Sequence, residues 1–545
     1  MRDTLIITDQ TIECPVSPAS VFEYRVDGGQ IIDDEAITLN DADRLNQLGA
    51  ELAEAYTDAI AGLRLTMPWK ALHDDVLGHL FYFTELNTKR TEMNQSFDAF
   101  VNAAFIREKL ADATIKTIYV YGSSLFHDDT LMSVFPHAQI LRDRPQVKTP
   151  RMRSIFLKNT YFFLRFFLIA LMRWIVPKVK ASDRQAERYF MTRFPGRLSV
   201  DEVEDKYSDL VRTQDLYIAG IMTDGMQQNI SFTHWLRIVG QARHLKQTIF
   251  YDRYHHVTDG IAGFFWMLAL MANVARNKPD LWIKGINLTD IIQTEAVHSL
   301  FRLPRLIAVS RGIKRLYATI ARDTSSRKSI IYYLHEYGYG RMFSSLLLQF
   351  FPTCRRIGMQ HGPASIRKLV YWLSSDERND KSYPLAVPHA VLAEDNASAS
   401  LYRRMGYNHV VIMKKAPRLR GPFAHKISIA QDRSHLPHLI ATGLHDSAMM
   451  VAMMKPVMEQ HSAQDYLIKF HPKAHVDDAT LSSLPNNCSV VTDDIALLFE
   501  MVGKVYVTYS SVGIEAEDIG LDVAYMDIPA RVSERPETGS LQGGQ

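Results

Sequence analysis

The sequence predicts an α/β protein whose C-terminal part is a doubly wound parallel sheet. Three observations carry this. After His438, five short apolar runs (HLIATGL, DYLIKFHP, CSVVTD, KVYVTYSS and DVAYMD) alternate with helical stretches, the spacing of parallel strands joined by helical crossovers. Upstream, SIIYYLHE, a helical stretch near 341–350 and CRRIGMQHG form a β-α-β unit over 327–362. At the N-terminus, TLIITD is followed by a long helical pattern from about Asn94 and then by TIKTIYVYG at 114–122, again strand alternating with helix.

A chain of 545 residues exceeds what one hydrophobic core organises, so two or more domains are expected. Residues 1–413 are taken as one N-terminal unit, in which HAVLAEDNASASLYRRMGYNHVVIM reads as strand, helix, strand. Helical patterns at 185–207 and 259–276 read as core helices. Residues 414–433, rich in Lys, Arg and Pro, form a linker, and 434–545 form the C-terminal unit. No internal repeat appears.

With 47% hydrophobic and 22% charged residues the chain is globular, not disordered. Lys and Arg total 62 against 60 Asp and Glu, so no global charge favours nucleic acid and no such partner is expected. Cys14, Cys354 and Cys488 are far apart, with neither a CxxC pair nor a zinc spacing. The opening MRDTLIITDQTIECP has no apolar signal region, so a cytoplasmic protein is expected.

One segment qualifies that expectation. IFLKNTYFFLRFFLIALMRWIVPKVK at 155–180 is dense in Phe and Leu, interrupted by Arg165 and Arg173 and flanked by Arg151, Arg153, Lys158, Lys178 and Lys180. A spanning helix would place an arginine in hydrocarbon, at roughly 2.5–3.5 kcal/mol each. The segment is therefore read either as a core helix or as an interfacial helix with its aromatics at the acyl boundary and its cations among anionic headgroups.

The C-terminal strands end on groups suited to a phosphate or a sugar. The second ends at His471-Pro472-Lys473, and Pro472 would stop the strand behind the imidazole. The fourth ends YSSVGIEAEDIG, where Ser510, Ser511 and Gly513 open a helix carrying Glu515 and Glu517. Unpaired N–H groups at a helix start, two hydroxyls and a glycine make an anion cradle. A plain N-cap explains the same serines. If the sheet places strand two beside strand four, His471 and the Ser510-Ser511 turn face one ligand.

This arrangement of His-Pro followed by Ser-Ser-x-Gly-x-Glu-Ala resembles the C-terminal domain of bacterial GT-B glycosyltransferases of capsule and lipopolysaccharide synthesis. That group includes Kdo transferases, polysialyltransferases and, more distantly, CDP-glycerol polymerases. The resemblance implies that His471, Pro472, Lys473, Ser510, Ser511, Gly513 and Glu515 bind the donor, with Glu515 or Glu517 at the ribose. IIYYLHEYGYGRMFSSLLLQFFPTCRRIGMQHGPAS is similar to the end of the N-terminal domain in surface-carbohydrate proteins, through Glu336, Tyr337 and Gln360-His361-Gly362. The likeness covers roughly 329–528; the first 320 residues match only in layout.

The implied fold is GT-B, two Rossmann-like domains facing across a cleft, with the basic-aromatic segment 151–180 inserted in the N-terminal half. The implied activity is transfer from a nucleotide-activated sugar, CMP-linked among the candidates, to a glycan or lipid-linked glycan at the inner membrane surface. Such transfer needs a base for the acceptor hydroxyl and donors for the leaving phosphate. Glu336 is the candidate base and His361 a second catalytic residue, with His335 and His475 less favoured neighbours. Neither metal nor cofactor is expected. The pairs Asp33-Asp34, Asp74-Asp75, Asp128-Asp129, Asp477-Asp478 and Asp493-Asp494 read as solvated turns rather than a metal-holding DxD, and the adjacent His255 and His256 as structural. Two alternatives remain open. One is a polyol-phosphate transferase. The other is a non-catalytic nucleotide- or glycan-binding partner, favoured slightly because no helix follows MDIPARV to cross back to the first domain.

Overall fold

The computed structural model describes residues 2–27, 29–31, 35–91, 94–144, 152–178, 188–193, 216–221, 231–244, 248–321, 329–333, 335–360, 362–379, 387–412, 433–472, 474 and 476–535. The linker at 414–433 lies almost wholly outside them, as do His361, Lys473 and His475.

Three parallel sheets organise these residues. The first contains β1 (Thr4–Thr8), β2 (Val21–Arg25), β3 (Ile37–Thr38), β4 (Thr117–Tyr121) and β5 (Gln139–Arg142), in the order β3-β2-β1-β4-β5. All five residues of β1 are buried, as expected of an apolar run covered on both faces. Helix α1 (Ala42–Gly62) starts where Asp41 accepts a hydrogen bond from the Arg44 amide at 3.0 Å, a side-chain N-cap. It packs on α2 (Ser96–Lys109) through Tyr56 and Phe97, whose ring centres are 5.1 Å apart.

The second sheet contains β6 (Arg188–Arg193), β7 (Leu216–Ile221), β8 (Thr248–Phe250), β9 (Ser329–Tyr333), β10 (Arg355–Met359), β11 (Ala390–Ala393) and β12 (Val410–Ile412). Its order is β8-β7-β6-β9-β10-β11-β12. Helices α3 (Met152–Leu171), α4 (Val257–Arg276), α5 (Thr289–Ala321) and α6 (Gly338–Phe350) belong to this part of the chain. The 33-residue α5 is its central pillar, with Leu300, Leu303 and Ile307 fully buried. Residues 1–413, expected to carry one Rossmann-like sheet, thus carry two. One hydrophobic core runs from Leu5 and Ile7 of β1 through α5 to Val391 and Ala393 of β11.

The third sheet is built from β13 (His438–Ala441), β14 (Tyr466–Lys469), β15 (Cys488–Val490), β16 (Lys504–Val507) and β17 (Asp522–Tyr525), ordered β15-β14-β13-β16-β17. Helices α7 (Ser447–Gln460) and α8 (Ser511–Asp518) follow β13 and β16. Alternate residues of β13 enter separate cores. Leu439 and Ala441 join Val505 and Phe499 on one face, while Ile440 joins Ile468, Met450 and Met454 on the other. That is the period of two in a sheet covered on both sides.

The α/β expectation with parallel sheets is borne out, and every C-terminal strand lies within its predicted apolar run. One local reading is corrected: the pattern taken as helical from 185 contains strand β6. The helix read at 259–276 is α4, which places Met267, Leu270 and Val274 in the main core and leaves Ile261, Phe265 and Leu268 exposed on its other side. In each sheet the first strand is interior, the second and third lie to one side and the fourth to the other. A crevice therefore opens between the C-terminal ends of the first and fourth strands, where ligands of such sheets gather.

Candidate active site

In the third sheet this crevice lies between β13 and β16. After β13 the chain runs Thr442-Gly443-Leu444-His445-Asp446 into α7. Thr442 and Ser447 hydroxyls meet at 2.9 Å, and Ser447 donates to the Gly443 carbonyl at 2.9 Å. The Asp446 side chain folds back over this turn. A Cβ at Gly443 would come within 2.7 Å of its Oδ1, so glycine is needed for the carboxylate to sit there. Thr508, just past β16, donates its hydroxyl to Asp446 Oδ2 and ties the two strand ends together. Asp446 is 2% exposed, and its Oδ1 has no hydrogen-bond partner among the described residues. An orphaned buried carboxylate oxygen is costly. Asp446 is also among the residues that line a cavity of about 260 Å³, with Tyr509, Met526, Arg531 and Asp98.

The roof of the cavity is the chain after β17. It returns to the first sheet as an extended strap, fastened residue by residue. Asp27 N donates to the Pro529 carbonyl at 3.1 Å, and Asn102 Nδ2 to the Ala530 carbonyl at 2.9 Å. Val532 N donates to Asp98 Oδ1 at 3.0 Å and Ser533 N to Asn46 Oδ1 at 2.8 Å. Arg531 grips both carboxylate oxygens of Asp27 at 2.6 and 3.0 Å. Burial pushes the Asp98 carboxyl up to about 6, against the pull of Arg531 and the Val532 amide. Among the described residues the return to the first sheet is thus made by an extended segment and not by a helix.

In the second sheet the crevice lies between β6 and β9, and His335 and Glu336 follow β9 directly. Their exposures are 1% and 2%, with His335 Nδ1 3.4 Å from Glu336 Oε2. Burial holds His335 down to about 3, so the imidazole is neutral. Burial likewise pushes Glu336 up to about 7, opposed by Lys368, Arg90 and Arg341. Tyr402 and Tyr407 flank the imidazole, with centroids 6.2 and 5.8 Å away. Only glycine at 358 lets β10 pass, since a Cβ there would lie 2.6 Å from His335 Cγ. Behind them, Arg341 donates to the Glu336 carbonyl at 3.1 Å and to Tyr82 O at 3.1 Å, and it also bonds Asn87. Lys89, whose amine burial holds down to about 8, donates to the Asn87 carbonyl at 2.9 Å. A carboxyl titrating near neutrality can accept a proton at physiological pH.

The other residues singled out in the sequence fall as follows. His471 is half-buried past β14 and Pro472 exposed. The condition for His471 to meet Ser510 is not fulfilled, because β13 lies between β14 and β16. Ser510 caps α8, accepting from Val512 N at 3.2 Å, and Ser511 is exposed. Gly513 is packed, since a Cβ would come within 2.8 Å of the Tyr525 hydroxyl and Val507. Glu515 is half-buried on α8. Gln360 holds the turn after β10, donating to Gly362 O at 2.9 Å and accepting from Glu394 N at 3.0 Å. His255 is buried and His256 caps α4 in a reciprocal bond with Asp259.

Asp74 is not a solvated turn acid; it is buried and bonded to Arg311 at 2.8 Å. Among the described residues, His127, Asp129 and Asp290 approach the spacing of metal ligands. Asp129 Oδ2, however, already accepts the Asp290 amide at 3.0 Å at the start of α5. Thr442, Gly443, Asp446 and Thr508 were missed in the sequence. The signal was TGLHDS at the end of the first strand of the unit, which becomes informative once that strand is known to be central.

No family model and no curated protein matches the chain. Among solved structures, a crystal structure of MurG from Acinetobacter baumannii matches with a TM-score of 0.32 and 10% identity, covering 64% of this chain and 80% of that one. A likeness that slight says nothing about function.

Proposed function

We propose that this chain is a GT-B glycosyltransferase that takes a nucleotide-activated sugar as donor. Residues 1–413 form its acceptor-side half, and the unit of the third sheet forms its donor-side half. The observation that carries the reading is the cavity at the crevice of the third sheet, lined by Asp446, a buried carboxylate whose Oδ1 has no hydrogen-bond partner among the described residues. A sugar or ribose hydroxyl is the kind of donor that satisfies such an oxygen. The N-termini of α7 and α8 follow the ends of β13 and β16, at 447 and 511, and negative charge on a leaving phosphate is favoured at helix N-termini. His471, Pro472, Lys473, Ser510, Ser511 and Glu515 complete the donor side in this proposal. Glu336, with its pKa lifted to about 7, acts as base on the acceptor hydroxyl, His361 is the second catalytic residue, and transfer proceeds without a metal.

The donor to test first is CMP-linked, and the acceptor is a glycan or lipid-linked glycan of a bacterial surface polysaccharide, capsule or lipopolysaccharide. The full enclosure of Glu336 favours one second reading, a non-catalytic nucleotide- or glycan-binding partner in polysaccharide assembly. Calorimetry with CMP-, CDP-, UDP- and GDP-sugars and CDP-glycerol, with donor hydrolysis followed in parallel, separates these. Saturable binding of one nucleotide class with hydrolysis or transfer supports the enzyme. Binding without turnover under any acceptor supports the partner, and no binding by any member of the panel overturns both.

A further inference from the structure

We infer that the outer face of α3 and α4 is a docking surface for an anionic lipid bilayer, on which the two helices lie in the interface rather than cross it. This rests on the helices alone and stands apart from the proposed transfer. Along α3 the exposed residues are Leu157 (56%), Tyr161 (47%), Leu164 (59%), Leu168 (46%) and Leu171 (63%), continued by Trp174 (68%). Steps of three and four place them on one helical face. Along α4, Ile261 (43%), Phe265 (64%) and Leu268 (40%) do the same.

The helices run antiparallel and touch. A Cβ at Gly260 would meet Phe166 and Phe167 within 3 Å, one at Gly263 would meet Phe163 at 2.8 Å, and Phe163 and Phe264 stack edge-on at 5.9 Å. Both rest on α5. Asn159 donates to the Leu300 carbonyl at 2.9 Å, and Gly263 lies against Pro304 and Ala308. Their outward faces therefore belong to one layer.

Charge is arranged around this layer and kept out of it. Arg165, the cation that interrupts the apolar segment, is buried with its guanidinium 5.4 Å from the Phe162 ring centre. Asp259, the acidic residue of α4, is buried and paired with Arg315. Exposed cations cluster at the ends: Arg153 and Lys158 near the start of α3, Arg276 and Lys278 at the end of α4 that lies beside it, and Lys178 at the far end. Apolar side chains below a rim of cations match acyl chains below anionic headgroups. A second copy of the chain fits worse, because two such faces would set cation against cation in either orientation. Crossing is disfavoured by the inner faces, since 44% and 33% of the most apolar windows of the two helices are buried in protein.

The test is flotation of the full-length protein with phosphatidylcholine vesicles, with and without phosphatidylglycerol. The wild type should float with the anionic vesicles and bind neutral ones about tenfold less. The exposed double variant L164E/F265E should lose binding by about tenfold or more while its melting and sedimentation as a single species are unchanged. Failure of the wild type to float, or equal binding by the variant, overturns the inference. So does concentration-dependent dimerisation that the variant abolishes without any vesicle binding, which would make the face a subunit contact. Should the double variant not fold, quenching by brominated lipid decides. Quenching of the wild type that W174F diminishes supports docking, and its absence overturns it.

Discussion

Arg531 and Asp27, 504 positions apart in sequence, are joined by two hydrogen bonds of 2.6 and 3.0 Å that fasten the segment after β17 to the turn that follows β2. Each side chain is under one third exposed, so the pair is partly shielded from solvent. R531A should destabilise the fold by about 1–3 kcal/mol, discounted for that exposure. R531K should recover only part of the loss, since an ammonium cannot make the paired contact. Thermal melts measure the first effect, and faster proteolysis near residue 531 would report the freed strap. An unchanged melt and cleavage pattern in R531A would mean that the strap is held by its other hydrogen bonds without this pair.

The link between Asp446 and Thr508 makes a second prediction. T508V removes the hydroxyl that bonds a buried carboxylate, at a cost of about 1–3 kcal/mol. G443A forces the carboxylate away from its seat and should cost a similar amount. D446N keeps the shape and removes one acceptor, so it should stay folded and weaken donor binding about tenfold, equivalent to about 1.4 kcal/mol. Calorimetric titration of D446N with the best donor of the panel is the measurement. Unaltered affinity would take Asp446 out of the site.

The buried carboxyl of Glu336 makes stability depend on pH in a definite direction. Its folded pKa, near 7, lies above the ordinary 4.5, so the folded state holds the proton more tightly. The resulting stabilisation is fully present below about 4.5 and is lost as pH rises through about 7. E336Q titrates no proton at this position. The stability of the wild type relative to E336Q should therefore be greater at pH 5 than at pH 8, by roughly 2–3 kcal/mol. Glu295 and Asp98, whose pKa values burial also raises, remain in both proteins and cancel. A difference that is flat with pH would show that Glu336 is not held in the way described.

Much of the fold was legible because apolar runs such as YLIK and KVYV have a local cause, a strand covered on both faces. The winding order was not legible, because adjacency of strands is a non-local property. That is why His471, at the end of an outer strand, stood out in the sequence while Asp446, at the end of the central one, did not. Glu336 was found because it closes a strand in a visible β-α-β unit. Its enclosure by Tyr402, Tyr407 and Arg341 depends on residues at or beyond the next helix. Helix α4 was legible as a core helix but its exposed side was not, for a related reason: hydrophobicity on all sides looks the same in sequence whether the far side meets protein or not.

The sheet order turns the role of His471 into a comparison. As the resemblance implies, H471A should abolish nucleotide-sugar turnover, and because the residue is half-buried at a strand end its melt should change by no more than about 0.5 kcal/mol. His471 and Ser510 flank β13 from opposite sides, so a donor reaching both must pass over the turn at 442–446. S510A removes a cap and costs about 1 kcal/mol, but it should lower donor affinity only if the ligand extends that far. If H471A loses turnover while S510A keeps its affinity, the donor lies over β13 and β14. If S510A weakens binding and H471A leaves turnover unchanged, the donor lies over β13 and β16, and His471 is a surface residue beside a turn proline.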